Sequence, residues 1–231
     1  MTVNKKPNGK VVVFGNQKGG CGKTTLAVTL ACGLKTQGLN VLLVDADPQG
    51  SVMNWGDRIS EDLVESMPHI EKHDNTLIDQ ALKRARERYD YTIVDLGSNL
   101  GFGGDVIQKM LLKSLREADY VLIPVEPSPI DVDASEAFVD VLRDIWARRE
   151  EEKPKASFVI NAVRKGTMLT REIENVLKEF YQMNIFDTKI DSREAYKLAF
   201  LKGDSVFNSK NADVLANANA FVAEARKVIG L

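Results

Sequence analysis

Apolar residues in this chain gather in short, unbroken runs separated by longer amphipathic stretches. The runs Val11–Gly15, Val41–Asp45, Tyr91–Asp95, Tyr120–Val125 and Ala156–Asn161 are rich in Val and Ile and do not alternate with polar residues. A strand with one wet face alternates; a strand covered on both faces need not. The runs therefore predict buried strands, with a weaker one near Ile185–Ile190. The amphipathic stretches predict helices at about 23–37, 75–88, 105–117, 131–150, 169–181 and 211–229. Strands alternating with helices predict an α/β fold, a doubly wound and mostly parallel sheet with helices on both faces and right-handed crossovers. Residues 54–73 show no clear period, and Pro68 breaks any element there.

Length and charge narrow the picture. The 231 residues suit a single domain, 1–231, with 1–10 expected as a disordered lead-in. A net charge of −2 shows no global basic balance, so any nucleic-acid contact needs a local patch. The two cysteines, Cys21 and Cys32, are too few for a disulfide framework and lack metal-ligand spacing. They fit a reducing compartment. No apolar run is long enough to span a bilayer, and the start lacks the apolar stretch of a signal peptide.

The chemistry is densest after the first strand. Gly15-Asn16-Gln17-Lys18-Gly19-Gly20-Cys21-Gly22-Lys23-Thr24-Thr25 leads from that strand into the first helix. Glycines let backbone N–H groups turn inward around phosphate oxygens, and a helix N-terminus adds partial positive charge. Lys23 is placed to reach the β- and γ-phosphates, and the Thr24 hydroxyl to ligate Mg²⁺. Gln17 stands where the ordinary phosphate loop has its first glycine, while K-G-G-x-G-K-T-T, with an extra lysine at 18, fits. Seven specified positions match by chance in roughly one window per hundred million at average residue usage.

Two acidic strand ends accompany the loop. Val41–Asp45 runs on into Ala46-Asp47-Pro48-Gln49-Gly50, and Tyr91–Asp95 into Leu96-Gly97-Ser98. The carboxyl edge of a parallel sheet brings such groups into one crevice. Asp95 can hold Mg²⁺ through water, because Mg²⁺ keeps much of its hydration shell. Asn161, at the end of the run Phe158–Asn161, offers an amide that could read an adenine amino group; a plain turn role is also open.

The loop resembles that of the ParA/MinD group of deviant Walker-A ATPases, and the resemblance is closest to small ParA partition proteins of the ParF type. It is strongest over residues 11–51, clear at 91–95 and 120–131, where Val121–Asp131 matches, and patchy after 160, where Gly203–Phe207 matches. It implies a P-loop NTPase fold and slow, partner-stimulated ATP hydrolysis with ATP and Mg²⁺ as cofactors. It implies that Lys18 reaches across a dimer to the partner's nucleotide, that Asp47 positions the attacking water, and that Asp45 supports the Mg²⁺ shell. Lys18, Lys23 and Asp47 are thus the catalytic candidates. Lys18, Gly19, Gly20, Cys21, Gly22, Lys23, Thr24, Thr25 and Asn161 are the candidates for nucleotide binding, and Thr24, Asp45 and Asp95 for the metal. Family members often carry prolines after the Walker-B aspartate; here Leu96-Gly97-Ser98 follows, which puts the geometry of that switch in question.

The same resemblance implies an ATP-dependent homodimer that binds nonspecific DNA, a small centromere-binding partner, and a cytoplasmic, nucleoid-associated location. Arg164, Lys165, Arg193, Lys197 and Lys202, with Arg171 nearby, form the candidate DNA patch. Lys83, Arg84, Arg86 and Arg88 read as a solvated helix face. No leading extension houses a helix-turn-helix, so operator-specific repression is not expected. The last helix carries Val214, Leu215, Ala218, Phe221, Val222, Ala225, Val228 and Ile229 on one face. Its polar face offers only Arg226 and Lys227 as cations, which favours packing on the core over MinD-like membrane docking. Three other readings stay open: positioning of a protein assembly, a metabolic P-loop enzyme, and an iron–sulfur carrier using Cys21 and Cys32.

Overall fold

The computed structural model describes residues 9–98, 104–148, 155–164, 168–192 and 194–230. Strands and helices alternate through most of the chain. The strands are β1 (Lys10–Phe14), β2 (Val41–Ala46), β3 (His69–Lys72), β4 (Tyr91–Leu96), β5 (Tyr120–Val125), β6 (Lys155–Ile160) and β7 (Asn184–Ile185). The helices are α1 (Lys23–Thr36), α2 (Ser51–Gly56), α3 (Ile78–Ala85), α4 (Gly104–Glu117), α5 (Pro129–Arg148), α6 (Met168–Tyr181), α7 (Glu194–Leu201) and α8 (Ala212–Ile229). All seven strands join one sheet in the order β3-β2-β4-β1-β5-β6-β7, and every pairing is parallel.

The unbroken apolar runs have the expected cause. Val11 and Val13 of β1 belong to one buried cluster with residues of α3, α4, α5 and α6. Val12 and Phe14 belong to the other, with residues of α1, α2 and α8. Successive side chains point to opposite faces, and both faces are covered, so both sets are apolar. The apolar residues of α8 are spent in this way: Val214, Ala218, Phe221, Val222, Ala225 and Ile229 are buried, and the helix packs on α1. Asn211 caps it by accepting from the N–H groups of Asp213 and Val214. No helix among the described residues is long and apolar enough to cross a membrane.

Four details depart from the expectations. The segment 54–73 contains β3, a four-residue edge strand of sequence His-Ile-Glu-Lys that, among the described residues, pairs with β2 alone. Its polarity, fitting for an edge, hides it from an apolar pattern. Helix α7 is only eight residues long, with Tyr196 its one buried residue. The weak strand near 185–190 shrinks to Asn184–Ile185. Arg86 is no solvated side chain: it donates to the Gly9 and Glu117 carbonyls and pairs with Asp119 at 2.6 Å, while Asp119 accepts from the Val11 N–H at 2.7 Å. This knot fixes where β1 begins.

Candidate phosphate-binding site

Because the strands run parallel, the ends of β1, β2, β4, β5 and β6 meet at one edge of the sheet. The loop that leaves β1 there is anchored by Asn16, a side chain not singled out from sequence. It is 1% exposed. Its amide donates to the Pro124 carbonyl at 2.8 Å and to Ser135 Oγ at 3.0 Å. Its oxygen accepts from the Lys18 N–H at 3.2 Å. One amide thus ties the loop to β5 and α5.

Gly20 and Gly22 have φ of 81° and 99°, the left-handed region that glycine occupies without steric cost. At Gly22 there is also no room: a β-carbon would lie 2.0 Å from Asn161 Nδ2. Asn161, at the end of β6, donates that amide to the Cys21 carbonyl at 2.9 Å. It is therefore a strut between β6 and the loop as well as a cavity-lining side chain. Ala162 follows with φ of 54°, a strained conformation costing on the order of 1 kcal/mol for a residue with a β-carbon.

The two lysines of the loop differ. Lys23 is buried, and its ammonium donates to the Lys18 carbonyl at 2.9 Å. It turns into the curl of the loop. The Lys18 side chain is 38% exposed, and its ammonium sits 3.8 Å from Asp131 Oδ1 at the start of α5. Asp131 is itself held in the network, since its carbonyl accepts from Ser135 at 2.8 Å. The Cys21 thiol is buried and donates to the Lys18 carbonyl at 3.3 Å; burial pushes its pKa up, against the pull of Lys23.

The acidic residues divide as sharply. Asp45 and Asp95 are register partners on β2 and β4. Asp45 accepts from the Asp47 N–H at 3.1 Å and the Met53 N–H at 2.9 Å, so its carboxylate orders the turn after β2 and the first turn of α2. Burial raises its pKa while these N–H bonds lower it. Asp95 is fully buried, and neither carboxylate oxygen has a hydrogen-bond partner. Burial drives its pKa up to about 7; Asp45 and Asp47 add to the rise, and the nearby Thr24 hydroxyl and Lys23 ammonium oppose it. A buried carboxylate with no donor is costly unless a cation completes it. The oxygen donors of Asp95 and Thr24 fit Mg²⁺, a hard cation. Asp47 is partly exposed, and its Oδ1 accepts from the Gln49 N–H at 2.9 Å.

Beside the loop opens a cavity of about 620 Å³, lined by Gly20, Gly22 and Thr25, by Glu126, Pro127 and Ser128 after β5, and by Asn161, Leu169 and Tyr196. That volume suits a nucleoside. Arg164 and Lys197 line it too. The candidate DNA patch is thus partly a wall of this cavity. Lys202 is exposed at the C-terminal end of α7, Arg171 is exposed on α6, and Lys165 and Arg193 lie outside the described residues. Cys32 is remote in kind from this chemistry: it is fully buried in the core face of α1, its thiol pushed up to about 12. Among the described residues no group of three or more His, Cys, Asp or Glu could hold a metal by itself.

A glycine-rich loop entering a helix, a buried inward lysine and an unpartnered aspartate at the next strand's end define a P-loop nucleotide-binding protein. The chain belongs to the family described as the CobQ/CobB/MinD/ParA nucleotide binding domain, whose model matches residues 12–206; it is an ATPase-family member of the ParA/MinD kind. It is 33% identical over 192 residues to maintenance of carboxysome distribution protein A of Halothiobacillus neapolitanus, covering 83% of this chain and 84% of that protein. It is 25% identical over 220 residues to protein ParA of Rhizobium radiobacter, covering 91% and 93%. Among solved structures, Cyanothece McdA superposes with a TM-score of 0.76 in its apo form at 20% identity, covering 94% of this chain and 99% of that one. A variant of it in complex with ATP gives 0.74 at 19% identity, covering 95% and 97%.

Proposed function

We propose that this chain is an ATP-driven positioning switch: ATP and Mg²⁺ bind at the loop, two copies pair, and the pair holds nonspecific DNA until hydrolysis releases it. The observation that carries this reading is the division between the two loop lysines. Lys23 is buried and turned into its own loop, donating to the Lys18 carbonyl. Lys18 is partly exposed, and among the described residues its ammonium pairs with Asp131. A partly exposed cation on a weak ion pair can be recruited to a second copy's nucleotide, stabilising the charge that develops on the transferring phosphoryl as an arginine finger does.

Within one site, the N–H groups from Gly19 to Thr25 cradle the phosphates and the α1 N-terminus adds its dipole. The nucleoside lies in the cavity against Asn161. Magnesium, when bound, neutralises phosphate charge, and Thr24 and Asp95 are the residues that would hold it. Asp47 orients the attacking water and accepts its proton. Asp45 contributes by fixing the backbone that carries Asp47, and by its charge.

The first reading of the cargo is a plasmid or chromosome, engaged through a small centromere-binding protein that stimulates hydrolysis; the likeness to protein ParA supports it. A second reading, a protein assembly as cargo, is favoured by the higher identity to maintenance of carboxysome distribution protein A. Both use the nucleoid as a track. Filter binding on two unrelated duplexes, with ATP and with ADP, tests the track. If about six phosphates are neutralised, log K falls with log salt at a slope near −5, only with ATP, and without sequence preference. Binding that is absent or equal in both nucleotide states refutes it. Pull-down with ATP then separates the cargoes by whether a DNA-binding or an assembly protein is captured.

A further inference from the structure

The segment after β4 carries a hydroxyl that the reading above does not use. Leu96-Gly97-Ser98 leaves the sheet beside Asp47: a β-carbon on Gly97 would lie 3.0 Å from Asp47 Oδ1 and 3.2 Å from its Cγ. A side chain at 97 would press on that carboxylate, so the glycine lets the backbone pass close to Asp47. The next residue, Ser98, then faces the phosphate loop. A β-carbon on Gly19 would lie 3.6 Å from Ser98 Oγ and 4.0 Å from its Cβ. Gly19, Asp47, Gly97 and Ser98 therefore meet at one spot.

That spot lies on the loop just before the stretch that lines the cavity. Gly20, Gly22 and Thr25 line the cavity, and Gly19, Asp47 and Ser98 do not. A nucleotide with its base in the cavity and its phosphates along the loop ends at Gly19. The glycine there has no positive φ, and a β-carbon would make only ordinary contact with the protein. The space it leaves is space for a ligand. Ser98 is partly exposed, and its hydroxyl makes no hydrogen bond among the described residues.

We propose that Ser98 reads the terminal phosphate: its hydroxyl donates to a γ-phosphate oxygen, so that this side chain separates a nucleoside triphosphate from a diphosphate. The proposal rests on the nucleotide-site reading and deepens it. A hydroxyl donor to a phosphate oxygen is a charge-assisted hydrogen bond. Ending the Walker-B turn on Gly97-Ser98, where the resembled family often carries prolines, supplies a side-chain donor that proline cannot.

Calorimetry of the full chain with AMPPNP and with ADP, both with Mg²⁺, tests this. Ser98→Ala should bind AMPPNP about ten- to a hundred-fold more weakly, the range for losing a hydrogen bond to a charged group, and ADP within about two-fold of wild type by the same reasoning. Ser98→Thr, which keeps the hydroxyl, should retain the preference for AMPPNP. Unchanged AMPPNP affinity in Ser98→Ala, or an equal loss for both nucleotides, overturns the assignment. A wild-type chain that binds neither nucleotide overturns instead the site reading on which it rests.

Discussion

Replacing Asp95 by Asn should stabilise the nucleotide-free protein, and more so at high pH. The carboxyl is fully buried with both oxygens unpartnered. Burial, with Asp45 and Asp47 adding and Thr24 and Lys23 opposing, carries its pKa from the ordinary 3.8 to about 7. Below roughly pH 4 the group is protonated folded and unfolded, and costs nothing. Between that point and about pH 7 the unfolded chain ionises while the folded one keeps its proton, so stability falls as pH rises. Above it the full penalty is present, at most about 4 kcal/mol at 1.36 kcal/mol per pH unit. Asn has no such titration. Urea unfolding with EDTA at pH 5 and pH 8 should find that Asp95→Asn gains about 2–3 kcal/mol more over wild type at pH 8 than at pH 5, from the same relation. An equal difference at both pH values would show that Asp95 is not a strained, cation-seeking carboxylate.

Three other outcomes follow from contacts at the loop. Asp131→Asn removes the charge that holds Lys18; at about 0.5–1 kcal/mol per ion pair and two pairs per dimer, ATP-dependent dimerisation should tighten roughly 5- to 30-fold by sedimentation, and weaker or unchanged dimerisation would deny Asp131 that role. Gly22→Ala places a β-carbon against the Asn161 amide at a φ of 99°. A melting temperature lowered by roughly 3–10 °C, together with lost ATP binding, is expected from a strain of about 1–3 kcal/mol; unchanged melting and affinity would count against the strut. Asp47→Ala should bind ATP as wild type does yet hydrolyse it at least about a hundred-fold more slowly, as loss of a general base does, and a normal phosphate-release rate would remove Asp47 from the chemistry.

Much of this was legible in the sequence because parallel strands covered on both faces leave unbroken apolar runs, as Val11–Phe14 and Tyr120–Val125 do. The loop was legible because Lys18 to Thr25 is contiguous. What escaped is what depends on distant partners. The chain from Asn16 through Ser135 to Asp131 and Lys18 joins residues more than a hundred positions apart, and none of those side chains has a periodic signature. β3 escaped because an edge strand tolerates His, Glu and Lys. The basic residues were legible as charge but not as location: Arg164 and Lys197 line the cavity beside the loop, and nothing in their spacing says which face they take.

The central claim is that Lys18 acts in a second copy's site while Lys23 acts in its own. Sedimentation of the hydrolysis-slowed Asp47→Ala protein tests it most directly, with ATP and with ADP, and with or without Lys18→Ala added. The account predicts a dimer with ATP and a monomer with ADP, and a monomer in both once Lys18 is removed, although calorimetry still finds ATP bound. A dimer that persists without Lys18, or a protein that stays monomeric with ATP throughout, would contradict it.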